Sequence, residues 1–440
     1  MTHKTIALAG VAVLTAMALA GCSHTANSGV APGTPASANG AHTGDLQPAL
    51  QAAAFKVRGL YATGWSAGLP KKMDNLIATL HKTGLNSIVI DVKDSDGAVT
   101  YYTSGVPLAV EIGACHKSAR QNRCPEIDAT LKKLKDAHIY TIARVVCFND
   151  PILARARHEY AIKSKAGGIW HNAHGPWVDP TIQAVWQYNV DIAIDAIKHG
   201  FDEIQWDYIR FPSEGNLKLC QYSKPTDHGQ ASIIIAQYLE FAQKALAQYH
   251  VPISADIFGL TGTSTSDMGI GQKINPIADF VNTVCPMVYP SHFAHGEYHM
   301  PNPNAQPYKT ILVSLHDARR RLSASKAIIR PWLQAFTLGP PHYGPHEVME
   351  QLRGVKDNNL SEFLWWSPQN KYENVEEALT SKPGAELLAQ ITENGRKYPT
   401  AKAQNAVPKS ASATAPAAAH TPKASKAAKH QHHQKAGSGA

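Results

Sequence analysis

The chain has 440 residues, 44% hydrophobic and 17% charged, which is enough apolar material for a large folded unit, and its formal net charge is +8. Six of the 42 basic residues are lysines after position 400 (Lys402, Lys409, Lys423, Lys426, Lys429 and Lys435) in a stretch without acids, so residues 1–400 carry 36 bases against 34 acids, a net charge of +2. The basicity belongs to the tail, and a uniformly basic body of the kind that coats nucleic acid is excluded.

Residues 1–22 combine Lys4, an apolar run from Ile6 to Ala20 and small residues before Cys22. The run is too short to cross about 30 Å of hydrocarbon at about 1.5 Å per residue, so the pattern predicts a signal peptide and not a membrane span. Leu19-Ala20-Gly21-Cys22 is similar to a bacterial lipobox, which makes Cys22 the expected lipidation site and predicts an exported protein anchored at the cell envelope, on the periplasmic or extracellular face. Residues 23–54 are rich in Ala, Gly, Ser, Thr and Pro and are expected to form a flexible linker; residues 398–440, rich in Ala, Lys, Pro and His, are expected to be a disordered basic tail. Such a tail would contact anionic envelope polymers; export makes nucleic acid an unexpected partner.

From residue 55 to 397 a single alternation recurs, of apolar β-type runs and segments with helical spacing. VRGLYATGW (57–65) is followed by a helix opened by Pro70, faced by Met73, Leu76, Ile77 and Leu80, and closed by Gly84. SIVIDVKD (87–94) precedes a helix carrying Ile127, Leu131, Leu134 and His138, and YTIARVVCFND (140–150) precedes a long excursion and a helix over 181–199. The fourth strand lies in DEIQWDYIRFP (202–212), followed by a helix over 230–249; VPISADIFG (251–259) is the fifth. FVNTVCPMVYPSH (280–292), IIRPWLQAF (328–336) and EFLWWSP (362–368) complete the set, with helices near 307–325, 345–357 and after Val375. Eight strands alternating with helices predict a (β/α)₈ TIM barrel; an open doubly wound sheet is disfavoured because no G-x-G-x-x-G follows the first strand.

In such barrels chemistry occupies the carboxyl ends of the strands. Carboxylates recur there on strands two to five, and aromatics on strands one, four, six, seven and eight. Asp207 and Asp256 are the candidate catalytic pair; Trp65, Asp91, Lys93, Asp94, Trp206, Tyr208, Arg210, Tyr289, His292, Trp332, Gln334 and Trp366 are the candidate substrate-binding residues. Paired acids suit glycosidic cleavage, in which one protonates the leaving oxygen and the other attacks or activates water, and aromatic faces suit the C–H face of a pyranose. Glu203, at the start of its strand, and Asp150, before Pro151, read as structural. No metal and no cofactor are expected: the first strand has no His-x-His, and the histidines of HNAH (171–174) and His292, His295 and His299 have no obvious acid partner. Cys115 and Cys124 bracket a polar loop, and in an oxidising compartment they suggest a local disulfide.

IDVKDSDGAVTY (90–101), ARVVCFNDPILARAR (143–157), GFDEIQWDYIRFPSEG (200–215), ADIFGLT (255–261), CPMVYPSH (285–292) and IRPWLQAFT (329–337) resemble a bacterial family of glycoside hydrolases defined by a domain of unknown function, DUF4015. The resemblance implies a TIM-barrel glycosidase, with Asp207 as nucleophile or charge stabiliser and Asp256 as proton donor. The expected substrate is a cell-wall or extracellular polysaccharide; the alternatives are a non-catalytic glycan- or wall-binding lipoprotein and a non-glycosidic hydrolase such as a deacetylase.

Overall fold

The segment EIQWD alternates polar and apolar residues, and in a pleated strand that alternation sends Glu203, Gln205 and Asp207 to one face and Ile204 and Trp206 to the other. The computed structural model, which describes residues 55–394 except Ala119 and His228, shows what each face meets. The expected signal peptide, lipidation site at Cys22, linker and basic tail lie outside the described residues.

Eight strands form the sheet: β1 (Arg58–Ala62), β2 (Ser87–Lys93), β3 (Tyr140–Val146), β4 (Glu203–Asp207), β5 (Ile253–Phe258), β6 (Thr283–Met287), β7 (Ile328–Ile329 and Trp332–Gln334) and β8 (Phe363–Trp366). Each pairs in parallel with the next and β8 pairs with β1, so the sheet closes without a free edge. The helices that follow them are α1 (Pro70–Thr83), α2 (Ile127–Asp136), α3 (Gln183–His199), α4 (Gln230–Leu246), α5 (Ile274–Ala278), α6 (Pro307–Arg321), α7 (Pro345–Asp357) and α8 (Glu373–Thr380), with a further helix α9 (Lys382–Asn394) against α7 and α8. This is the (β/α)₈ barrel that the alternation predicts. Helix α1 buries Met73, Leu76 and Leu80 and ends at Gly84, whose left-handed backbone (φ 68°) a glycine adopts without strain.

Three departures have local causes. Helix α2 stops at Asp136, so His138 lies beyond it, in a left-handed turn (φ 57°). Pro331 has no N–H to offer the ladder, and β7 is broken there. The α5 segment has no long amphipathic pattern, and only five residues of helix form.

Hydrogen bonds that skip neighbouring strands identify the face towards the barrel axis. Arg330, in the break of β7, donates to Glu203 on β4 at 2.7 Å and to Glu362 just before β8 at 2.8 Å, forming a buried ion triad at the amino-terminal end. Above it Val89, Tyr140, Ile142, Cys285 and Leu364 pack across the axis. Ile204 and Trp206 belong to the other, larger cluster between sheet and helices. Glu203 and Asp207 of DEIQWDYIRFP are therefore inside the barrel and Ile204 and Trp206 are under the helices, while Asp202, just before the strand, accepts from the Thr141 amide and hydroxyl.

The expected Cys115–Cys124 disulfide is absent. Both are separate buried thiols: Cys115 Sγ lies 3.5 Å from the Thr103 carbonyl and Cys124 Sγ 3.9 Å from Thr130 Oγ1. Cys147, Cys220 and Cys285 are buried free thiols as well.

Candidate active site

Arg144 stands in the middle of the apolar strand YTIARVV, a costly place for a cation unless acids meet it. Its Nε and Nη2 donate to Asp207 Oδ2 at 3.0 and 2.6 Å, and its Nη1 donates to Asp91 Oδ1 at 2.6 Å. Asp256 Oδ2 lies 4.0 Å from the same Nε. One nitrogen thus stands 3.0 Å from Asp207 and 4.0 Å from Asp256, so those two oxygens are at most about 7 Å apart. Carboxyl pairs that flank one glycosidic bond are separated by roughly 5–9.5 Å. The sheet register explains the meeting: Gln205 pairs with Ser254 and Trp206 with Ala255, so the next step places Asp207 beside Asp256 at the carboxyl ends of β4 and β5.

The two acids have different surroundings. Asp256 is 1% exposed and accepts the Trp332 indole N–H at 2.7 Å. Burial pushes its carboxyl well above the usual carboxylate range, the charge of Asp207 adds to the rise, and Arg144 and Trp332 oppose it. Asp256 therefore keeps its proton to higher pH than a solvated aspartate. Asp207 has one oxygen in the fork of Arg144 and the other on the Tyr208 amide at 2.6 Å. Tyr208 reaches that position through a left-handed backbone (φ 50°), an uncommon conformation for a bulky residue that turns the chain sharply after the acid.

Asp91 lies deeper, with Tyr61 Oη donating to its second oxygen. Burial lifts its carboxyl from 3.8 to about 7, helped by Asp94 and opposed by Arg144 and Tyr61. Between those two values the folded chain holds a proton at Asp91 that the unfolded chain releases, so this contribution to stability is complete below pH 3.8 and is lost as pH rises to about 7. Asp91→Asn is expected to flatten that part of the stability profile, as read by urea unfolding at a series of pH values. An unchanged slope would show that Asp91 does not titrate there.

A cavity of about 430 Å³ opens above these groups, within the usual range of roughly 300–1,000 Å³ for small-ligand pockets. It brings together eight of the sequence candidates: Asp207, Asp256, Tyr208, Arg210, Tyr289, His292, Trp332 and Trp366. Trp366 stacks on Tyr61 with centroids 3.8 Å apart, Trp332 stands edge-on to Trp366 at 5.7 Å, and the Arg144 guanidinium lies 5.2 Å from the Trp366 centroid. Burial lowers the His292 imidazole below its ordinary value, which favours the neutral ring. The excursions after β3 and β4 pair through Lys163–Ser164 and Cys220–Gln221, and the first of them brings Trp177 to Tyr208 at 5.8 Å.

Six candidates lie elsewhere. Trp206 faces the helices and packs edge-on against Tyr238 at 5.6 Å, so it is a core residue and not a sugar platform. Lys93 is turned the same way by a register shift after Asp91; fully buried, it pairs with Asp150 at 2.6 Å and donates to Asn189 at 2.8 Å. Asp150 also caps the helix Pro151–Ala156 through the Leu153 amide. Asp91 supports Arg144 from below and does not line the cavity. Gln334 is buried, accepting the Ser291 amide at 3.0 Å and donating to the Phe336 carbonyl at 2.9 Å. Asp94 pairs with Arg123 at 2.7 Å, and Arg123 lies over the half-exposed ring of Trp65 at 5.4 Å, apart from the cavity lining. Sequence reasoning missed Arg144 and its neighbour Tyr61, and also the lining residues Ser213, Glu214, Phe258, Met287 and Phe293. For Arg144 the signal was present, a lone cation in an apolar strand.

A second hollow of about 440 Å³, between α6, α7 and α9, is lined by Glu350, Arg353, Asp357 and Glu386. None of its acids is buried, and Glu350 is paired with Arg353, so it has no counterpart to the proton-holding Asp256.

Residues 59–372 match the family model DUF4015, described as "Putative glycosyl hydrolase domain". Among solved structures, the PgaB (BpsB) glycoside hydrolase domain from Bordetella bronchiseptica aligns with a TM-score of 0.56 at 11% identity, covering 74% of this chain and 98% of that one. Alpha-L-fucosidase isoenzyme 2 from Paenibacillus thiaminolyticus aligns with a TM-score of 0.51 at 11% identity, covering 76% and 50% respectively. At such identities the likeness is one of fold. A hypothetical protein from Ruminiclostridium thermocellum ATCC 27405 is 37% identical, covering 45% of this chain and 96% of its own, with a TM-score of 0.40. No match to a curated protein was found.

Proposed function

We propose, on the premise that this chain belongs to the DUF4015 family of glycosyl hydrolase domains, that it hydrolyses the O-glycosidic bonds of a polysaccharide with Asp207 and Asp256. The observation that carries the reading is the pairing of a buried carboxyl that retains its proton with a second carboxyl in the grip of Arg144, in one aromatic-walled cavity. Asp256 would protonate the departing glycosidic oxygen, and Asp207 would attack the anomeric carbon or stabilise the positive charge developing there. Trp332, Trp366 and Tyr289 would offer ring faces and edges to the sugar.

The lipoprotein-like segment ending at Cys22 extends the proposal to an exported, envelope-anchored enzyme acting on a cell-wall or extracellular polysaccharide, with the basic tail on anionic envelope polymers. The test is to incubate the chain with a panel of wall and secreted polysaccharides and count new reducing ends. A rise with at least one polymer, absent in Asp207→Asn, is expected; glycan binding without new reducing ends from any polymer would overturn the hydrolytic reading.

A further inference from the structure

Two guanidinium groups border the cavity, and their partners differ. Arg144 faces Asp91, Asp207 and Asp256. Arg210 is 8% exposed, lines the same cavity and forms no ion pair among the described residues. Its Nη1 donates to the Phe211 carbonyl at 3.2 Å and to Ser213 Oγ at 3.1 Å, and the guanidinium also hydrogen-bonds the Tyr208 side chain, all neutral acceptors. The rings of Tyr208, Phe258 and Trp177 surround the guanidinium at 4.8, 4.8 and 5.0 Å. Asp207 and Glu214 act on Arg210 through space without pairing with it: Asp207 Oδ2 is held by Arg144, and Glu214 lies 3.6 Å from His174; the third acid of the cavity wall is Asp256.

Aromatic faces recover part of the lost hydration of a buried cation, but they do not match a carboxylate. A guanidinium with free donors, in a site from which water is largely excluded, is a strong receptor for a planar anion, which it can bind through two parallel hydrogen bonds. A neutral sugar would leave most of that capacity unused.

We propose that Arg210 is a specificity-determining residue that binds a carboxylate on the sugar held in this cavity, so that the substrate is an acidic glycan. The inference rests on the glycosidase reading above and narrows its substrate class. The carboxylate can belong to a uronic acid or to a lactyl ether such as that of muramic acid; both present the same planar group.

Titration of the Asp207→Asn chain separates these cases without turnover. The ligands are glucuronic- and galacturonic-acid oligosaccharides, their carboxyl-reduced forms, and glycan strands containing muramic acid. At least one acidic ligand is expected to bind about tenfold or more tighter than its neutralised form, and Arg210→Gln is expected to abolish the difference. The class that shows the preference identifies the source of the carboxylate. Equal binding of acidic and neutralised ligands, no binding of any acidic ligand, or a preference that survives Arg210→Gln would each overturn the proposal. The comparison of native with neutralised ligand needs no change at Arg210, so it holds even where that variant fails to fold. Tight binding of an acidic ligand with no release of reducing ends by the wild-type chain would uphold the role of Arg210 and remove the hydrolytic reading instead.

Discussion

Exchange of Asp207 for Asn is expected to lower kcat on a natural glycan by at least about 10³-fold while affinity changes only a few-fold. Asn has nearly the shape of Asp, and its carbonyl oxygen can still accept from the Arg144 fork that holds Asp207 Oδ2 at 2.6 and 3.0 Å, so the cavity wall should keep its form at the cost of the one hydrogen bond from the Tyr208 amide, which the Asn NH2 cannot accept. What is lost is the charge that attacks or stabilises the anomeric carbon, an interaction made mainly in the transition state and therefore felt in kcat. Asp256→Asn provides the contrast. It removes a proton donor, so its defect should be large with a sugar leaving group and small with an activated aryl glycoside, whose oxygen departs without protonation. The same assignment sets the pH dependence: activity should fall as pH rises through the elevated titration of Asp256, above the usual carboxylate range. Kinetics of both variants on natural and aryl substrates check the roles. An Asp207→Asn chain that keeps more than about a tenth of wild-type kcat would remove Asp207 from the chemistry.

The pair was legible in the sequence because strand period and strand order together carry position. A carboxylate late in an otherwise apolar barrel strand has few places to go except the carboxyl-terminal mouth, and DEIQWDYIRFP and ADIFG both have that form. Facing was harder to read. Trp206 neighbours Asp207 in sequence and for that reason points the opposite way, so its closeness to the acid was misleading. Lys93 obeys strict alternation with Asp91 on paper, but the register shift in β2 turns it outward, and nothing in SIVIDVKD signals the shift. For Trp65 and Asp94 the strand end is right but the lateral reach of the loop is not, and that distance is not encoded in spacing. Tyr61 escapes notice because a tyrosine in a strand reads as core; only the hydrogen bond to Asp91 and the stack on Trp366 show that it builds the site.

Replacing Arg144 by Met is expected to destabilise the fold by about 3–5 kcal/mol, because it leaves the buried acids that meet it without their cation. Asp91 and Asp207 lie 2.6 Å from its nitrogens, and Arg144 is 4% exposed, so little water is at hand to take its place. The loss should depend on pH. Without Arg144 the folded-state titration of Asp91 rises above its value of about 7, so protonation relieves that part of the penalty: the gap between variant and wild type should be widest above neutrality and shrink as pH falls through about 7. Arg144→Lys should rescue only part of it, since a point charge cannot span Asp91 and Asp207 as the fork does. Adding Asp91→Asn to Arg144→Met should recover stability, a departure from additivity that marks a direct interaction. Urea unfolding of the two single variants and the double variant at several pH values reads all of this. A loss below about 1 kcal/mol, independent of pH and additive with Asp91→Asn, would mean that the acids do not need Arg144 and that the site is held together in another way.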